Sequence, residues 1–415
     1  MHYKVNDSLL RTCVKAWRQI IQFNYPADSS LSKFFRDNRG LGIHERGLIA
    51  ETIYTILRNY YKLTNLIDEQ QTISLIAYTW RYLLKLEKGE LSKITMVNWG
   101  QIIEFGELDP KIIELPSWII ERLSVRYSAI QIQQLAQAMS ENAPLTLRVN
   151  SLKTNRENML TEFINLGQKA VATRYSPYGI SLTNKLSLVN NQYFNDGYFE
   201  VQDEASQLAG LLLDPKRGEM VVDFCAGSGG KSLLFGMLMR NSGRIYAFDV
   251  NQRRLANLTP RLARSGLSNI TPQLIAHEND SKIKRLIGKI DKVFVDAPCL
   301  GLGTLRRNPD LKFRQNEQSL AEITLKQQSI LQSASRLLKV GGKLVYATCS
   351  ILAEENQQII QNFLMNNHDF VLEPISANLL IEGLDLADEN FLELSPVTHN
   401  SDGFFACVLR KIKMD

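Results

Sequence analysis

The stretch VVDFCAGSGGKS, residues 221–232, is an apolar run followed at once by a turn that contains Gly227, Gly229 and Gly230. Such a run predicts a buried strand, and the glycines allow the backbone to come close to another group at its carboxyl end. A helix is expected to begin near Lys231. A strand, a glycine-rich turn and a helix in this order are typical of open α/β sheets, which bind ligands at the carboxyl ends of their strands.

The pattern continues downstream of residue 221. Further strand-like segments are RIYAFDV, ITPQLIA, DKVFVDAP and KLVYATCS. Helical segments such as NQRRLANLTPRLARSG and EQSLAEITLKQQSILQSASRLL separate them. This alternation predicts a doubly wound parallel sheet over residues 201–415. FVLEPI and FFACVLRKI near the end favour a closing antiparallel pair.

Two regions of different pattern precede this sheet. Apolar residues recur three and four apart in the first of them, as at Leu10, Val14 and Trp17 and again at Ile49 and Ile53, which predicts an all-helical region over residues 1–140. From Pro144 the sequence alternates, then reads as a helix, then becomes extended again, so residues 141–200 are predicted to form a small α+β module, similar to ferredoxin-like or RRM-like domains. Its Arg148 and Asn150 could contact a phosphate or lie on the solvated face of a strand.

Composition narrows the class of protein only broadly. A chain of 415 residues fits two or three domains, and 44% hydrophobic with 22% charged residues is ordinary for a soluble protein. No apolar run approaches the roughly 20 residues that a membrane span needs, so we expect a cytoplasmic protein. We also expect a monomer. The net charge of +5 is a weak indication of a polyanionic partner. Five well-separated cysteines predict neither disulfides nor a metal site.

The glycine-rich turn indicates a cofactor site without naming the cofactor. It is neither the GxGxxG of dinucleotide-binding proteins nor a phosphate-binding loop. Asp249 ends the next predicted strand, where a carboxylate can accept hydrogen bonds from both hydroxyls of a ribose. Asp280 follows the third strand and either faces an adenine edge or is a surface aspartate.

Two cysteines, Cys299 and Cys349, each follow an apolar strand and enter a polar loop at this same edge. Cys407 lies within a strand and is interpreted as a core residue. A thiolate that adds to carbon 6 of a pyrimidine increases the electron density at carbon 5, which can then accept a methyl group. Asp296, three residues before Cys299, can hydrogen-bond to nitrogen 3 of the ring.

Three motifs carry a resemblance to a known family. DFCAGSGGK, VDAPCLGLG with RRNPDLK, and YATCSILAEEN resemble those of the RsmB/NOP/Sun family of RNA 5-methylcytosine methyltransferases, and PLTLRVNSLK with GYFEVQDEASQ resembles the module before them. The resemblance implies a class I S-adenosylmethionine-dependent fold, Cys349 as the nucleophile and Cys299 as the residue that assists product release. The cofactor contacts that it implies are Cys225, Ala226, Gly227, Ser228, Gly229, Gly230, Lys231, Asp249, Asp280 and Asp296. The family's loop usually has Ala and Pro where this chain has Gly227 and Ser228, which is expected to loosen the loop.

The predicted partner is RNA. The helical region, through SLSKFFRDNRGLGIHERGLIAETIYTILR, is similar to the NusB-like RNA-binding region of the bacterial small-subunit rRNA enzymes, which favours 16S rRNA over tRNA or another RNA. Four basic residues that follow Cys299 are predicted to bind phosphates beside a flipped-out base: Arg306, Arg307, Lys312 and Arg314.

Three other functions share parts of this pattern. A DNA cytosine methyltransferase would have its nucleophile at Cys299 and no cysteine at position 349. A nicotinamide-dependent dehydrogenase would use the same sheet and Asp249. A non-catalytic RNA-binding assembly factor would have no need for two thiols at a cofactor edge.

Overall fold

The computed structural model describes residues 3–183, 186–379 and 381–413. The first region is helical, with a π-helical turn at Thr79–Leu83 after its fifth helix. Its helices are α1 (Asp7–Ile20), α2 (Ala27–Asp37), α3 (Ile43–Arg58), α4 (Tyr60–Leu66), α5 (Thr72–Tyr78), α6 (Lys88–Leu91), α7 (Trp99–Glu104), α8 (Ser117–Leu123) and α9 (Ala129–Ser140).

Local sequence explains these helices. Asn6 caps α1 by accepting a hydrogen bond from the Leu9 N–H, which satisfies a donor that has no partner within the helix. The apolar positions predicted from helical spacing, such as Leu10, Trp17 and Ile53, are fully buried in one core.

The next region is the small α+β module. Its elements are β1 (Leu145–Val149), α10 (Arg156–Asn165), β2 (Ala170–Ala172), β3 (Gly179–Leu182), α11 (Gln192–Asn195) and β4 (Phe199–Val201). The strands form an antiparallel sheet in the order β2-β3-β1-β4, with a core of its own that contains Leu147, Phe163 and Phe199.

The remaining elements build the large sheet. They are α12 (Glu204–Leu211), β5 (Met220–Phe224), α13 (Gly230–Leu238), β6 (Arg244–Asp249), α14 (Gln252–Ala256), α15 (Leu258–Ser265), β7 (Ile270–Leu274), α16 (Ser281–Lys284), β8 (Ile290–Asp296), α17 (Leu311–Arg314), α18 (Glu317–Ser335), β9 (Leu338–Thr348), α19 (Gln357–Asn366), β10 (Phe370–Glu373), β11 (Phe391–Leu394), α20 (Pro396–His399) and β12 (Phe404–Lys411). Short 3₁₀ turns lie at Leu302–Thr304, Ala353–Glu355 and Ile375–Ala377.

The strand order of the large sheet is β10-β12-β9-β8-β5-β6-β7, and β11 pairs with β12 beside β10. Strands β5 to β9 pair in parallel, whereas β12 runs antiparallel to β9 and β10. The chain winds outward from β5 in both directions, so the sheet reverses its order between β5 and β8. The predicted doubly wound sheet and its closing antiparallel pair are confirmed.

The described residues pack into two compact units, and the predicted domain boundaries remain predictions. One compact unit contains the residues up to Asn142 together with Thr304–Glu317, and the other contains Ala143–Gly303 together with Gln318 onward. The small module and the large sheet thus share one unit, and the segment Thr304–Glu317 belongs to the helical unit. No helix within the described ranges is long and apolar enough to cross a membrane.

Candidate active site

The carboxyl edge of the parallel strands brings the predicted residues together. Phe224 of β5 pairs with Phe248 of β6, and Asp296 of β8 pairs with Ala347 of β9, so the loops that follow these strands begin at one level of the sheet. The glycine-rich loop, Asp249, Asp296 and both cysteines therefore lie at the reversal point of the sheet, where doubly wound folds bind ligands.

The glycine-rich loop has three residues with left-handed backbone. Cys225 has φ 68°, Gly227 φ 58° and Gly229 φ 78°. This conformation is costly for any residue with a Cβ, so Cys225 stores local strain of the kind that occurs at functional sites. A Cβ atom added at Gly229 would lie 2.2 Å from the Leu258 side chain, whereas one at Gly227 would meet nothing within 4 Å. The loop is tight against the protein at Gly229 and open at Gly227.

Asp249 fixes this loop from the neighbouring strand. Its Oδ2 accepts a hydrogen bond from the Gly227 N–H at 2.7 Å, and its Oδ1 accepts one from the Asn251 N–H at 2.6 Å. A carboxylate has about four acceptor sites, so capacity remains for two hydroxyl donors.

Asp280 lies in the turn after β7. Its carboxylate accepts hydrogen bonds from the N–H groups of Ala276 and Lys282, and it caps α16. Those backbone hydrogen bonds hold the pKa of Asp280 below its ordinary value. The turn begins beside Asp249, because the Ile275 N–H donates to the Asp249 carbonyl.

Asp296 forms an ion pair with Lys231. The Nζ–Oδ2 distance is 2.7 Å, and the side chains are 9% exposed at Lys231 and 35% at Asp296. The ammonium also lies over the rings of Phe294 and Phe404, at 5.6 and 5.2 Å from their centres. Lys231 is thus enclosed, while the carboxylate of Asp296 reaches solvent at the edge of the sheet.

The two cysteines of the loops are adjacent. The Sγ atoms of Cys299 and Cys349 are 3.4 Å apart, and both side chains are partly buried. The hydrogen bond to Cys349 and burial raise the pKa of the Cys299 thiol well above its ordinary value, and the negative charge of Glu355 raises it further. Cys407, predicted to be a core residue, is fully buried.

A close backbone contact supports the Cys349 loop. The Gly303 N–H donates to the Cys349 carbonyl at 2.9 Å, and the Gly403 N–H donates to the Gly303 carbonyl at 2.8 Å. A Cβ atom at Gly303 would lie 2.0 Å from the Gly403 carbonyl oxygen, so only glycine fits there. Three separate loops thus meet beside the thiol pair.

Comparison with known proteins identifies this arrangement. Residues 210–410 match a family model described as 16S rRNA methyltransferase RsmB/F, and residues 115–188 match that family's ferredoxin-like domain. The chain belongs to the RsmB/F family. Its members use S-adenosylmethionine, so the predicted methyltransferase fold, cofactor and RNA methyltransferase activity are confirmed.

Individual relatives agree with this family. A Bacillus subtilis protein named probable ribosomal RNA small subunit methyltransferase B is 27% identical over 98% of both chains. A Synechocystis protein of the same name is 32% identical over 71% of this chain, but the chain spans only 66% of that relative's length. The crystal structure of PH0851 covers 99% of this chain and 100% of its own, with a TM-score of 0.80 and 26% identity.

The loop of this RsmB/F member fits the cofactor of the family. Left-handed glycines, an open side at Gly227 and free acceptor capacity on Asp249 suit a nucleoside held by backbone and ribose contacts. S-adenosylmethionine supplies a methyl group on a sulfonium. Asp249 would bind its ribose hydroxyls. The loop from Cys225 to Lys231 would bind its amino-acid portion.

Two arginines that hold this loop were not predicted to do so. Arg148, 3% exposed, donates to the carbonyl of Gly230 at 2.7 Å and to the side chain of Gln202. Arg261 donates to the carbonyl of Ser228 at 2.6 Å and pairs with Glu200 at 2.8 Å. Both predictions for Arg148, a phosphate contact or a solvated strand face, are therefore wrong.

Asn150 is also buried. Its side-chain amide donates to the carbonyls of Gly197 and Ser265 at 3.0 and 3.2 Å, which leaves no role in binding phosphate. Neither residue gave a local signal of this role, because their partners are distant in the sequence.

The predicted phosphate-binding residues require a correction. Lys312 is 3% exposed, and its Nζ lies 3.1 Å from Oε2 of Glu114 within the helical unit. Arg306 is buried as well and donates to the Asn142 carbonyl at 3.3 Å. A phosphate contact is wrong for these two, since buried side chains with protein partners do not meet a polyanion. Arg307, which is half-buried, and Arg314, which pairs with Asp310, remain predictions.

Proposed function

We propose that this protein methylates carbon 5 of a cytosine in small-subunit rRNA through a covalent bond between Cys349 and carbon 6. The observation that carries the proposal is the pair of thiols 3.4 Å apart at the cofactor edge of the sheet. A methyltransferase acting on an oxygen or an exocyclic nitrogen has no use for such a pair, because those atoms are nucleophiles already.

Three residues, Cys349, Asp296 and Cys299, have separate roles in the proposed reaction. The Cys349 thiolate adds to carbon 6, and the electron pair of the double bond moves towards carbon 5 and the ring. Asp296 hydrogen-bonds to the base at nitrogen 3 and stabilises this adduct. Carbon 5 gains the methyl group from the sulfonium, which is left as a thioether. Carbon 5 then gives its proton to solvent, the electron pair of that bond re-forms the double bond, and the sulfur of Cys349 leaves carbon 6 as a thiolate. Cys299 assists this release, because it is beside the sulfur that must leave.

The motif that contains Cys349 supports this division of roles. YATCS resembles the motif that carries the nucleophile in the family, and VDAPC, which contains Cys299, resembles the motif whose cysteine assists release. Cys349 is therefore the better candidate for the attack, which needs a thiolate. The opposite assignment, with Cys299 as nucleophile, describes a DNA-type cytosine methyltransferase.

The name of the Bacillus subtilis relative, which aligns with 98% of this chain, supports small-subunit rRNA as the substrate. Methylation of tRNA or another RNA is the alternative. Contacts of Arg307 and Arg314 with phosphate, of Asp280 with adenine, a cytoplasmic location and a monomeric state remain predictions.

Trapping the covalent intermediate tests the proposal. Cys349→Ala should abolish turnover and form no protein–RNA adduct, because no other route activates carbon 5. Cys299→Ala should transfer the methyl group but release RNA slowly. Its adduct should survive denaturing electrophoresis, carry label from methyl-labelled S-adenosylmethionine and disappear on RNase treatment.

A buried thiol provides the control. Cys407→Ala removes a cysteine from β12 and should behave like the wild type in turnover and adduct. An adduct that accumulates in Cys349→Ala and never in Cys299→Ala would reverse the roles. Label found on adenine or on a ribose hydroxyl would refute the proposed chemistry.

A further inference from the structure

One buried carboxylate bonds to the loops of both cysteines. Glu355 is fully buried in the turn that follows β9. Its Oε1 accepts a hydrogen bond from the N–H of Leu300, the residue after Cys299, at 2.9 Å. Its Oε2 accepts one from the hydroxyl of Ser350, the residue after Cys349. A single side chain therefore links the two positions that immediately follow the thiols.

Gln327 of α18 completes the support of the Cys299 loop. Its Nε2 donates to the Pro298 carbonyl at 2.9 Å and to Oε1 of Glu355 at 3.1 Å. The backbone is thus fixed on both sides of Cys299, at Pro298 by Gln327 and at Leu300 by Glu355. Gln327 is itself fully buried, so water does not compete for these bonds.

Asn356 supports the Cys349 loop in the same way. Its Oδ1 accepts a hydrogen bond from the Thr348 hydroxyl at 2.6 Å, and its Nδ2 donates to the Ser350 carbonyl at 3.1 Å. These contacts lie before and after Cys349. Asn356 supports the Cys349 loop, whereas Glu355 bonds to both loops.

This arrangement matters because the thiols stand on loops, beyond the ends of paired strands. The parallel ladder of β8 and β9 ends at Asp296 and Ala347, before either cysteine. The hydrogen bonds of the buried Glu355 carboxylate, together with the backbone hydrogen bond from Gly303 to Cys349, then restrain how far the two loops can move relative to each other. Loss of one of them leaves a buried donor without a partner, which costs more than the bond's net value.

We propose that Glu355 is a positioning residue that sets the separation of the Cys299 and Cys349 thiols. The distance between the thiols controls the balance between two rates: the formation of the covalent intermediate at Cys349 and its release, which Cys299 assists. This second statement rests on the function proposed above, but the first concerns the folded protein alone.

The thiol spacing can be measured without RNA. In mixtures of glutathione and glutathione disulfide, the two thiols lose their protons and two electrons to form a Cys299–Cys349 disulfide, and one glutathione disulfide becomes two glutathiones. Mass spectrometry of the linked peptides gives the equilibrium constant, which reports the effective concentration of one thiol at the other. Glu355→Gln should lower it about tenfold or more, because the amide offers one acceptor oxygen in place of two.

Tyr346→Phe is the matched control. The Tyr346 hydroxyl donates to the backbone carbonyl of the same Glu355 at 2.8 Å, so this variant loses a buried hydrogen bond but keeps the carboxylate's contacts. Its disulfide equilibrium should stay at the wild-type value while its melting temperature falls. Equal equilibria in Glu355→Gln and wild type, an equal fall in both variants, or a wild type that forms no such disulfide would each overturn the positioning role.

Variants that remove the hydrogen bonds of one loop at a time test the effect of thiol spacing on the reaction. Ser350→Ala removes the link at the Cys349 loop and should slow formation of the RNA adduct at saturating S-adenosylmethionine. Gln327→Leu removes the hydrogen bonds to the Pro298 carbonyl and to Oε1 of Glu355, which weakens the support of the Cys299 loop, and should make the adduct accumulate, as in Cys299→Ala. Both changes should lower kcat at an unchanged KM for the cofactor, since neither residue contacts the glycine-rich loop in the described residues.

The two proposals fail in different ways. If Cys299→Ala forms no adduct while Glu355→Gln still shifts the disulfide equilibrium, the covalent mechanism is wrong and the positioning role stands. If the adduct forms at the same rate and accumulates to the same level in wild type, Ser350→Ala and Gln327→Leu, the mechanism stands and the effect of thiol spacing on it is refuted.

Discussion

The carboxylate of Asp249 accepts hydrogen bonds from the protein backbone, and we propose that the same carboxylate binds the cofactor. Its two oxygens hold the N–H groups of Gly227 and Asn251, which fixes the loop against β6. The ribose contact predicted from sequence therefore depends on a side chain whose position is already determined by the fold. Preorganisation of this kind lowers the entropy lost on binding.

Removal of this carboxylate should weaken cofactor binding. Asp249→Ala is expected to reduce S-adenosylmethionine affinity by about 1–3 kcal/mol, because hydroxyl and backbone donors lose their acceptor. Calorimetric titration of the protein with S-adenosylmethionine measures this loss of affinity. Asp291→Ala is a matched control, since Asp291 accepts the Met220 N–H at 2.8 Å at the start of β8, away from the carboxyl edge. An unchanged affinity in Asp249→Ala would show that Asp249 does not hold the ribose.

The Gly227–Ser228 pair lies in a loop that is also held by a residue distant in the sequence. Replacement of Ala and Pro by these residues was expected to loosen the loop. In the structure Arg261 donates to the Ser228 carbonyl and is itself held by Glu200. A neighbouring helix thus restrains the loop at Ser228, and the expected loosening of the loop remains a prediction.

At the scale of elements, α18 is fastened to the loop after β7 by Glu278. Its carboxylate accepts hydrogen bonds from Lys326 at 2.6 Å and from the Ser329 hydroxyl at 2.5 Å. Burial alone would raise the pKa of Glu278, but these two hydrogen bonds outweigh it and lower the pKa to about 2. This contact matters to the site because α18 also carries Gln327.

Acid should therefore loosen α18. A carboxyl group with a lowered pKa stabilises the fold above its unfolded-state pKa, and the contribution is lost as the pH falls towards the folded-state value. Urea unfolding should show that wild type loses its stability advantage over Glu278→Gln between about pH 4.5 and about pH 2. Glu322→Gln, at an exposed position of the same helix, should follow the wild type. A stability difference that does not change with pH would contradict the role of this ionised pair.

At the scale of the whole molecule, the segment Thr304–Glu317 leaves the catalytic sheet and packs within the helical unit. Lys312 pairs there with Glu114, and Phe313 stacks on Phe23 with ring centres 4.6 Å apart. Asp310 accepts the N–H of Ala27 at 3.1 Å. Residues whose sequence predicts a basic surface loop therefore pack in the core of the helical unit.

Lys312→Met should consequently destabilise the protein and leave RNA binding electrostatically unchanged. Loss of one partner of a buried ion pair typically costs about 3–5 kcal/mol, because Glu114 keeps a buried charge. Urea unfolding measures this cost, and Lys312→Met combined with Glu114→Gln should recover part of it. The slope of RNA affinity against salt should equal that of wild type, since a buried ammonium releases no counterions. A slope smaller by about one with unaltered stability would restore Lys312 as a phosphate contact.

The sequence by itself determined the parts of this protein that depend on local pattern. Apolar runs specified β5 to β9, and the glycines at 227, 229 and 230 with Cys299 and Cys349 specified the cofactor edge and the family. These features are readable because each depends on neighbouring residues: strand burial on a short run, the turn on residues that tolerate left-handed backbone.

Only the tertiary structure decided which polar side chains serve the site. Lys312 meets Glu114 across 198 positions of sequence, Arg148 meets Gly230 across 82, and Gln327 meets Glu355 across 28. A charged or amide side chain has the same local appearance whether it faces solvent or a distant partner. Its role follows from the long-range packing that removes it from water, and that packing is set by the whole fold.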